Sequence, residues 1–237
     1  MGLPKIDVPV IDIVLPYTNT KVKIRPFTVK EEKILLFAQN STIAKEIGDA
    51  IRQVITNCIV NDVDILDLPA FEVDYLFLKL RSISVNNIIK LKLKDEIDEE
   101  VFHDVEVDLE EVELVINKKV KDIVELNDQY NVKLSWPKFG SFESLNNIEE
   151  KDALFSLLST CINSIFSKDN EEVYIFDEYS QQEKQEFLDS LSIANMRDLL
   201  TFFTDVPKIQ HTIFYENSKG EKSEKTLSGI FDFFTFA

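Results

Sequence analysis

The sequence predicts an α+β chain. An N-terminal β-hairpin and helices with a small antiparallel sheet are followed by a helical C-terminal region ending in a β-hairpin. Three observations lead there. Apolar and charged residues alternate between Ile11 and Arg25 and again between Ile88 and Leu134, the period of a half-buried strand. Between Ile43 and Cys58 the apolar residues recur three and four apart, the period of a helix. That helical period returns beyond Asn147. Two domains follow from this reading, an α+β domain over 1–138 and a mostly helical one over 139–237, joined by the linker candidate KFGSFESLNN at 138–147. One or two domains suits 237 residues, and 44% hydrophobic residues with 18 phenylalanines can fill a core.

Taken in order, Ile11, Ile13 and Leu15 form a strand, Pro16 to Thr20 a turn, and Val22 with Ile24 the returning strand. Pro26 ends that strand, because it pushes Arg25 away from helical angles. Thr28 and Glu31 have the spacing of a capping box, and Glu31 and Glu32 sit at the positive end of the helix dipole. The helix they open carries Ile34, Leu35, Phe37 and Ala38. Asn40-Ser41 breaks it, and a second helix runs from Thr42 to Ile59. A third follows Asp67-Leu68-Pro69, carrying Phe71, Tyr75, Leu76, Leu78, Lys79 and Arg81. Strands then occupy 88–134, with a one-residue phase slip at Glu110-Glu111 that marks a bulge or turn. From Ala153 to Phe166 apolar pairs recur every four residues, which reads as one helix. Val173 to Phe176 is a short strand. Ser180 with Glu183 is a second capping box, and its helix carries Phe187, Leu188 and Leu191. A further helix carries Met196, Leu199, Leu200, Phe202 and Phe203. Ile213 and Tyr215, a turn at 217–220 and a charged return strand make the final hairpin. Leu227, Ile230, Phe231, Phe233 and Phe234 close the chain as an apolar tail.

Charge bounds the function. Forty-three Asp and Glu against 26 Lys and Arg give a net charge of -17, which argues against binding a phosphate backbone. It suits solubility or a basic partner face. Cys58 and Cys161 lie in apolar helical patterns and read as buried free thiols of a reducing compartment. The N-terminus MGLPKIDVPV lacks a signal-peptide pattern, Ile6 stands where a myristoylation motif needs Ser or Thr, and no apolar run reaches bilayer length. A soluble cytosolic product is the expectation. His103 and His211 have no neighbouring ligand residues, and no G-x-S-x-G, G-x-G-x-x-G or P-loop pattern is present. No catalytic, cofactor or metal residue is therefore nominated. Residues 95–113 hold many acids and no Lys or Arg. They lack the order of a calcium loop. They read as the solvated face of strands or as a docking face for a basic partner. The Phe-rich tail reads as core or as a helix that docks in a partner's groove.

Several stretches carry a family resemblance. LPKIDVPVIDIVLP, IRPFTVKEEKILLFAQ, IRQVITNCIV and FEVDYLFLKLRSISV, continuing to Trp136-Pro137, resemble the baseplate hub assembly chaperones of T4-like tailed bacteriophages. FLDSL, FFTDVPKIQHTIFYENSKG and LSGIFDFF are similar to its longer members. The patterns R-P-F-x-x-K-E-E-K and L-F-L-K-L-R-S-x-S are the most specific marks. The resemblance implies a non-enzymatic contractile-tail assembly factor, which holds hub subunits soluble and oriented until the wedges join. The hub carries the cell-puncturing spike and seeds the tail tube. A permanent structural subunit of the virion baseplate is the alternative. The implied partners are baseplate hub proteins, with neither nucleic acid nor membrane. The implied location is the infected host's cytoplasm, or the tail baseplate. Expected contact residues are Glu106, Asp108 and Glu110 on the acidic strands and Leu227, Ile230, Phe231, Phe233 and Phe234 in the tail. Some members carry a cysteine pair near the strands after the LRS motif. LKLKDEIDEEVFHDVEVDL has none here, which removes that route to metal stabilisation of the hairpin.

Overall fold

The structure, a computed structural model, describes residues 6–39, 41, 43–144, 150–169 and 171–234, with side chains except at 39, 44, 143, 144, 150–152 and 234. The chain divides into two units that interleave in sequence. Met1–Ile65, Phe71–Val115 and Lys208–Ala237 form the first, and Leu66–Ala70 with Ile116–Pro207 the second.

In the first unit, β1 (Ile11–Val14) pairs antiparallel with β2 (Lys21–Ile24). Asn19 takes the left-handed φ of 57° in their turn. Helices α1 (Val29–Gln39), α2 (Ala44–Cys58) and α3 (Ala70–Ser84) follow. α3 buries Phe71, Val73, Leu76, Phe77, Leu78 and Leu80, residues spread around its circumference, as befits a central helix. Glu72 on α3 is fully buried, yet it accepts from Tyr17 N at 2.7 Å, Thr18 N at 2.9 Å and Thr18 Oγ1 at 2.7 Å. The carboxylate therefore supplies the acceptors that the hairpin turn lacks. The exit of α2 runs back along β2: Val60 N donates to Lys23 O, and Asn61 bonds the backbone of both Lys21 and Lys23.

The strand-to-helix joint at 25–31 is built on a second buried carboxylate. Glu31, 2% exposed, accepts from Arg25 Nη2 at 3.1 Å, Thr28 N at 2.9 Å and Thr28 Oγ1 at 2.7 Å. The bond from Thr28 N is the return half of the expected capping box. Arg25 also donates to the carbonyls of Pro26 and Asn57.

Beyond α3, β3 (Ile88–Lys94) and β4 (Phe102–Asp108) form a hairpin. β5 (Glu113–Val115) pairs with β10 (Lys208–Glu216), which pairs with β11 (Lys222–Ser228), in the order β11-β10-β5. The phase slip at Glu110-Glu111 is a turn, where Glu111 N donates to Asp108 O. Gly229 (φ 78°) turns the chain from β11 into the short α8 (Ile230–Phe234).

The second unit holds a four-stranded antiparallel sheet. Its strands are β6 (Ile123–Glu125), β7 (Tyr130–Leu134), β8 (Ile162–Ser167) and β9 (Val173–Ile175), in that order across the sheet. The helices α4 (Ser141–Ser144), α5 (Glu150–Cys161), α6 (Gln181–Ser190) and α7 (Ile193–Phe202) belong to it. Both helix starts, at Ser180 and Ser192, are complete capping boxes. Trp136 stacks on Phe202 with centroids 4.0 Å apart.

The expected order of a mixed half followed by a helical half is corrected here. Helices and strands are interspersed to the end. The segment read as one helix from Ala153 to Phe166 stops at Cys161, and Ile162, Ile165 and Phe166 belong to β8. A short apolar run satisfies both periods, and an open edge of β7 decides it: Tyr130 to Leu134 bond β8 through a register shift at Lys133/Leu134. The final hairpin adds to β5. Strands from both halves of the sequence therefore share sheets. Of the linker candidate, Lys138 to Gly140 are strapped to 66–69: Phe139 N donates to Leu68 O and Gly140 N to Leu66 O. A Cβ at Gly140 would stand 3.0 Å from Leu66 O, so only glycine fits without a shift. Positions 145–147, with Asn40 and Thr42 of the expected helix break, lie outside the described residues.

Burial alone would raise the pKa of Glu31, but hydrogen bonds from Arg25 and Thr28 outweigh it and bring it from 4.5 down to about 2. A depressed carboxylate adds stability above its unfolded value, and that stability is lost as the pH falls. Glu31→Gln is expected to lower stability by roughly 1–3 kcal/mol at neutral pH. Urea unfolding checks this: the difference from wild type should close between pH 4.5 and 2.

Candidate functional site

The expected acidic face lies on the β3–β4 hairpin. Alternation turns Ile89, Leu91 and Leu93 inward and leaves Lys90, Lys92 and Lys94 outward, beside the outward acids of β4. Register then sets Lys90 opposite Glu106 and Lys92 opposite Asp104. Lys90 Nζ and Glu106 Oε1 are 3.3 Å apart, both exposed. Glu106 thus stands in a ladder of mixed sign, and cross-strand pairs of opposite charge stabilise a sheet. Asp108 accepts from Asn87 Nδ2 at 3.0 Å and from Glu110 N at 2.9 Å, which shapes the turn after β4. Glu110 is exposed at that turn.

The tail residues separate. Leu227 (5% exposed), Ile230 (6%) and Phe233 (2%) are in the core of the first unit, whereas Phe231 is 48% exposed. Side-chain placement for Phe234 is outside the described residues. The tail starts against α3, where the N–H of Ile230 bonds Asp74. Burial pushes the Asp74 carboxyl up to about 7, with that bond pulling the other way.

A node that sequence reasoning missed joins the β3–β4 loop to the β10–β11 turn. Asp95, 3% exposed, accepts from Ile97 N at 2.8 Å, Asp98 N at 2.9 Å, Ser218 N at 2.8 Å and Ser218 Oγ at 3.1 Å, and lies 2.7 Å from His103 Nε2. His103 packs on Tyr215, with centroids 4.9 Å apart. Burial would raise the pKa of Asp95. His103 and the backbone donors prevail and hold it well below the usual carboxylate range. Serine, histidine and aspartate meet, but Ser218 gives its hydroxyl proton to the carboxylate, so the arrangement ties two loops together. Residues 95 and 218 lie 123 apart in sequence, and no local pattern connects them. His211 sits in β10, opposite Leu227.

Cys58 and Cys161 are free and buried, and burial pushes their thiols up to about 11 and 12. Neither is a ready nucleophile at neutral pH. Among the described residues no group of three or more His, Cys, Asp or Glu is placed to hold a metal ion, and no helix is long and apolar enough to cross a membrane.

The second unit contains a cleft of about 450 Å³, lined by Tyr130, Ile165, Tyr174, Phe176, Phe187 and Leu191 among others. It opens beside β9, whose three residues are all exposed. The sequence marked 173–176 as a strand, but its place at a sheet edge needs the tertiary pairing.

Compared with known proteins, residues 8–235 match the family model described as T4 bacteriophage base plate protein. No curated protein and no solved structure matches the chain.

Phe233→Ala is expected to cost roughly 3–5 kcal/mol, as deletion of a buried ring does. Phe231→Ala should stay within about 0.5 kcal/mol of wild type, as surface changes do. Thermal unfolding of the two variants measures the contrast, and equal losses would show that Phe231 is also core.

Proposed function

The chain belongs to the T4 bacteriophage base plate protein family, and from that we propose that it is a non-enzymatic assembly protein that binds baseplate hub subunits. It acts stoichiometrically, in the cytoplasm of the infected host, keeping hub subunits soluble and oriented. The observation that carries this reading is the extent of the match, 8–235, which takes in both units. The first unit also offers large apolar side chains to solvent: Phe37 is 82% exposed, Phe214 75% and Phe231 48%. Aromatic side chains of this kind anchor protein interfaces.

The tail's contribution falls to Phe231, since Leu227, Ile230 and Phe233 are committed to this chain's own core. Deleting the whole tail would therefore confuse folding with binding. The double variant Phe214→Ser, Phe231→Ser keeps the core and tests the surface. Co-expressed with candidate hub subunits, it should retain the wild-type melting temperature and lose at least about tenfold in co-purified subunit. Undiminished recovery would place the contact elsewhere. Mass spectrometry of purified virions separates the assembly role from a permanent structural one: a pure assembly protein is absent, whereas a subunit is present in fixed copy number.

A further inference from the structure

The edge of the second unit's sheet has an arrangement of charge that selects a partner. β9 ends the order β6-β7-β8-β9, so among the described residues it has a strand on one side only. Ser167 N donates to Glu172 O at 2.9 Å, and Glu172 N donates to Ser167 Oγ at 3.0 Å. Residue 172 thus faces β8. The antiparallel alternation then turns the backbone N–H and C=O of Val173 and Ile175 away from β8, toward the open edge. Their side chains are 56% and 43% exposed. Natural edges are blunted by lysine, proline or a bulge, whereas β9 reads Val-Tyr-Ile.

Tyr174 points to the other face and lines the aromatic cleft. Its hydroxyl and that of Tyr130 both donate to Glu172 Oε2, at 3.0 and 2.9 Å, so one carboxylate holds both rings. The cleft is a ready seat for an apolar side chain entering beside the edge. Carboxylates bracket the strand: Glu171 and Glu172 precede it, Asp177 and Glu178 follow it, and all four are exposed. Lys184 lies 3.4 Å from Asp177, whose side chain is still 86% exposed. The stretch is therefore acid, apolar strand, acid. Its complement is an extended segment of apolar, β-prone residues with basic residues at both ends.

We propose that the β9 edge binds such a basic-ended segment of a partner protein as an added strand, with one apolar side chain in the aromatic cleft. Strand addition of this kind takes its affinity from main-chain hydrogen bonds and its selectivity from side-chain pockets. A second copy of this chain fits poorly. Antiparallel self-pairing through Tyr174 would set Glu171 of each copy opposite Asp177 of the other, and like charges directly opposed are destabilising. The inference rests on the partner-binding reading above and supplies the chemistry of one contact.

The test uses the full chain and a fluorescent peptide of alternating valine and threonine with two arginines at each end. Two control peptides carry glutamates at the ends or a central proline. Anisotropy should show the basic-ended peptide binding at least about tenfold more tightly than either control, and more weakly as salt rises. Val173→Pro removes an outward N–H without touching the β8 ladder. It should abolish binding while the circular dichroism spectrum is unchanged. The exposed pair Glu171→Lys, Glu178→Lys should reverse the preference toward the acid-ended peptide, which keeps the test open if the proline variant misfolds. Equal binding of all three peptides, or binding indifferent to both variants, overturns the proposal. So does a wild-type dimer in light scattering that Val173→Pro dissociates. Hub subunits that co-purify normally with Val173→Pro, in the absence of peptide binding, overturn the edge and leave the hub reading intact. Selective peptide binding without any hub co-purification overturns the hub reading and leaves the edge.

Discussion

A carboxylate taken out of water must find donors for its oxygens, and in the first unit three such carboxylates determine how the parts join. Glu72 gathers the β1–β2 turn onto α3, Glu31 locks the end of β2 to the start of α1, and Asp95 holds the β10–β11 turn against the β3–β4 loop. Each accepts at least one backbone N–H together with a side-chain donor. Such groups are specific because they fail when half satisfied: a lost donor leaves buried charge exposed to a low dielectric, at a cost of several kcal/mol for the ion concerned. Apolar packing alone tolerates sliding, whereas these nodes fix register and angle.

The same residue type plays the opposite part at the surface. Most of the 43 acids are not buried, and on β4 they are set against the lysines of β3. That ladder keeps a two-stranded hairpin in register and lowers its local net charge. A strongly acidic composition therefore does not by itself mark an acidic docking face. What counts is where acids stand without cations opposite them, and the flanks of β9 meet that condition better than the outer face of β4 does.

Local chemistry was legible in the residues. The first hairpin, the starts of α1 and α3, and the capping box at Ser180 with Glu183 depend on neighbours within about four positions, the range over which a helix or turn is decided. The Ser192 and Asn195 box has the same form with Asn in place of Glu. Long-range partnership was not legible. Ile162 to Phe166 fits a helix until β7 presents its edge. Asp95 looks like one acid among many until Ser218 arrives from 123 residues away. The tail residues are equally suited to a core or a partner, and only the pairing of β10 with β5 and the seating of Ile230 by Asp74 assign most of them to the core. The acidic strand and the aromatic tail were legible as chemical types, but their register and burial were not.

That pairing also orders events in folding. β5 receives its neighbour β10 only after the entire 116–207 stretch has been made, and all of that stretch belongs to the second unit. The second unit closes on sequence-local contacts plus the short strap 66–70, so it can form while the first still lacks its last strands. Until β10 and β11 are in place, the β5 edge and the site for Leu227, Ile230 and Phe233 stand open, apolar and unpaired. Exposed edges and apolar sites in incomplete chains are the usual route to misassembly. The mature surface of the first unit is complete only once the chain has been made through residue 234, because the residues that complete its core are also those that set the exposed Phe214 and Phe231 in position.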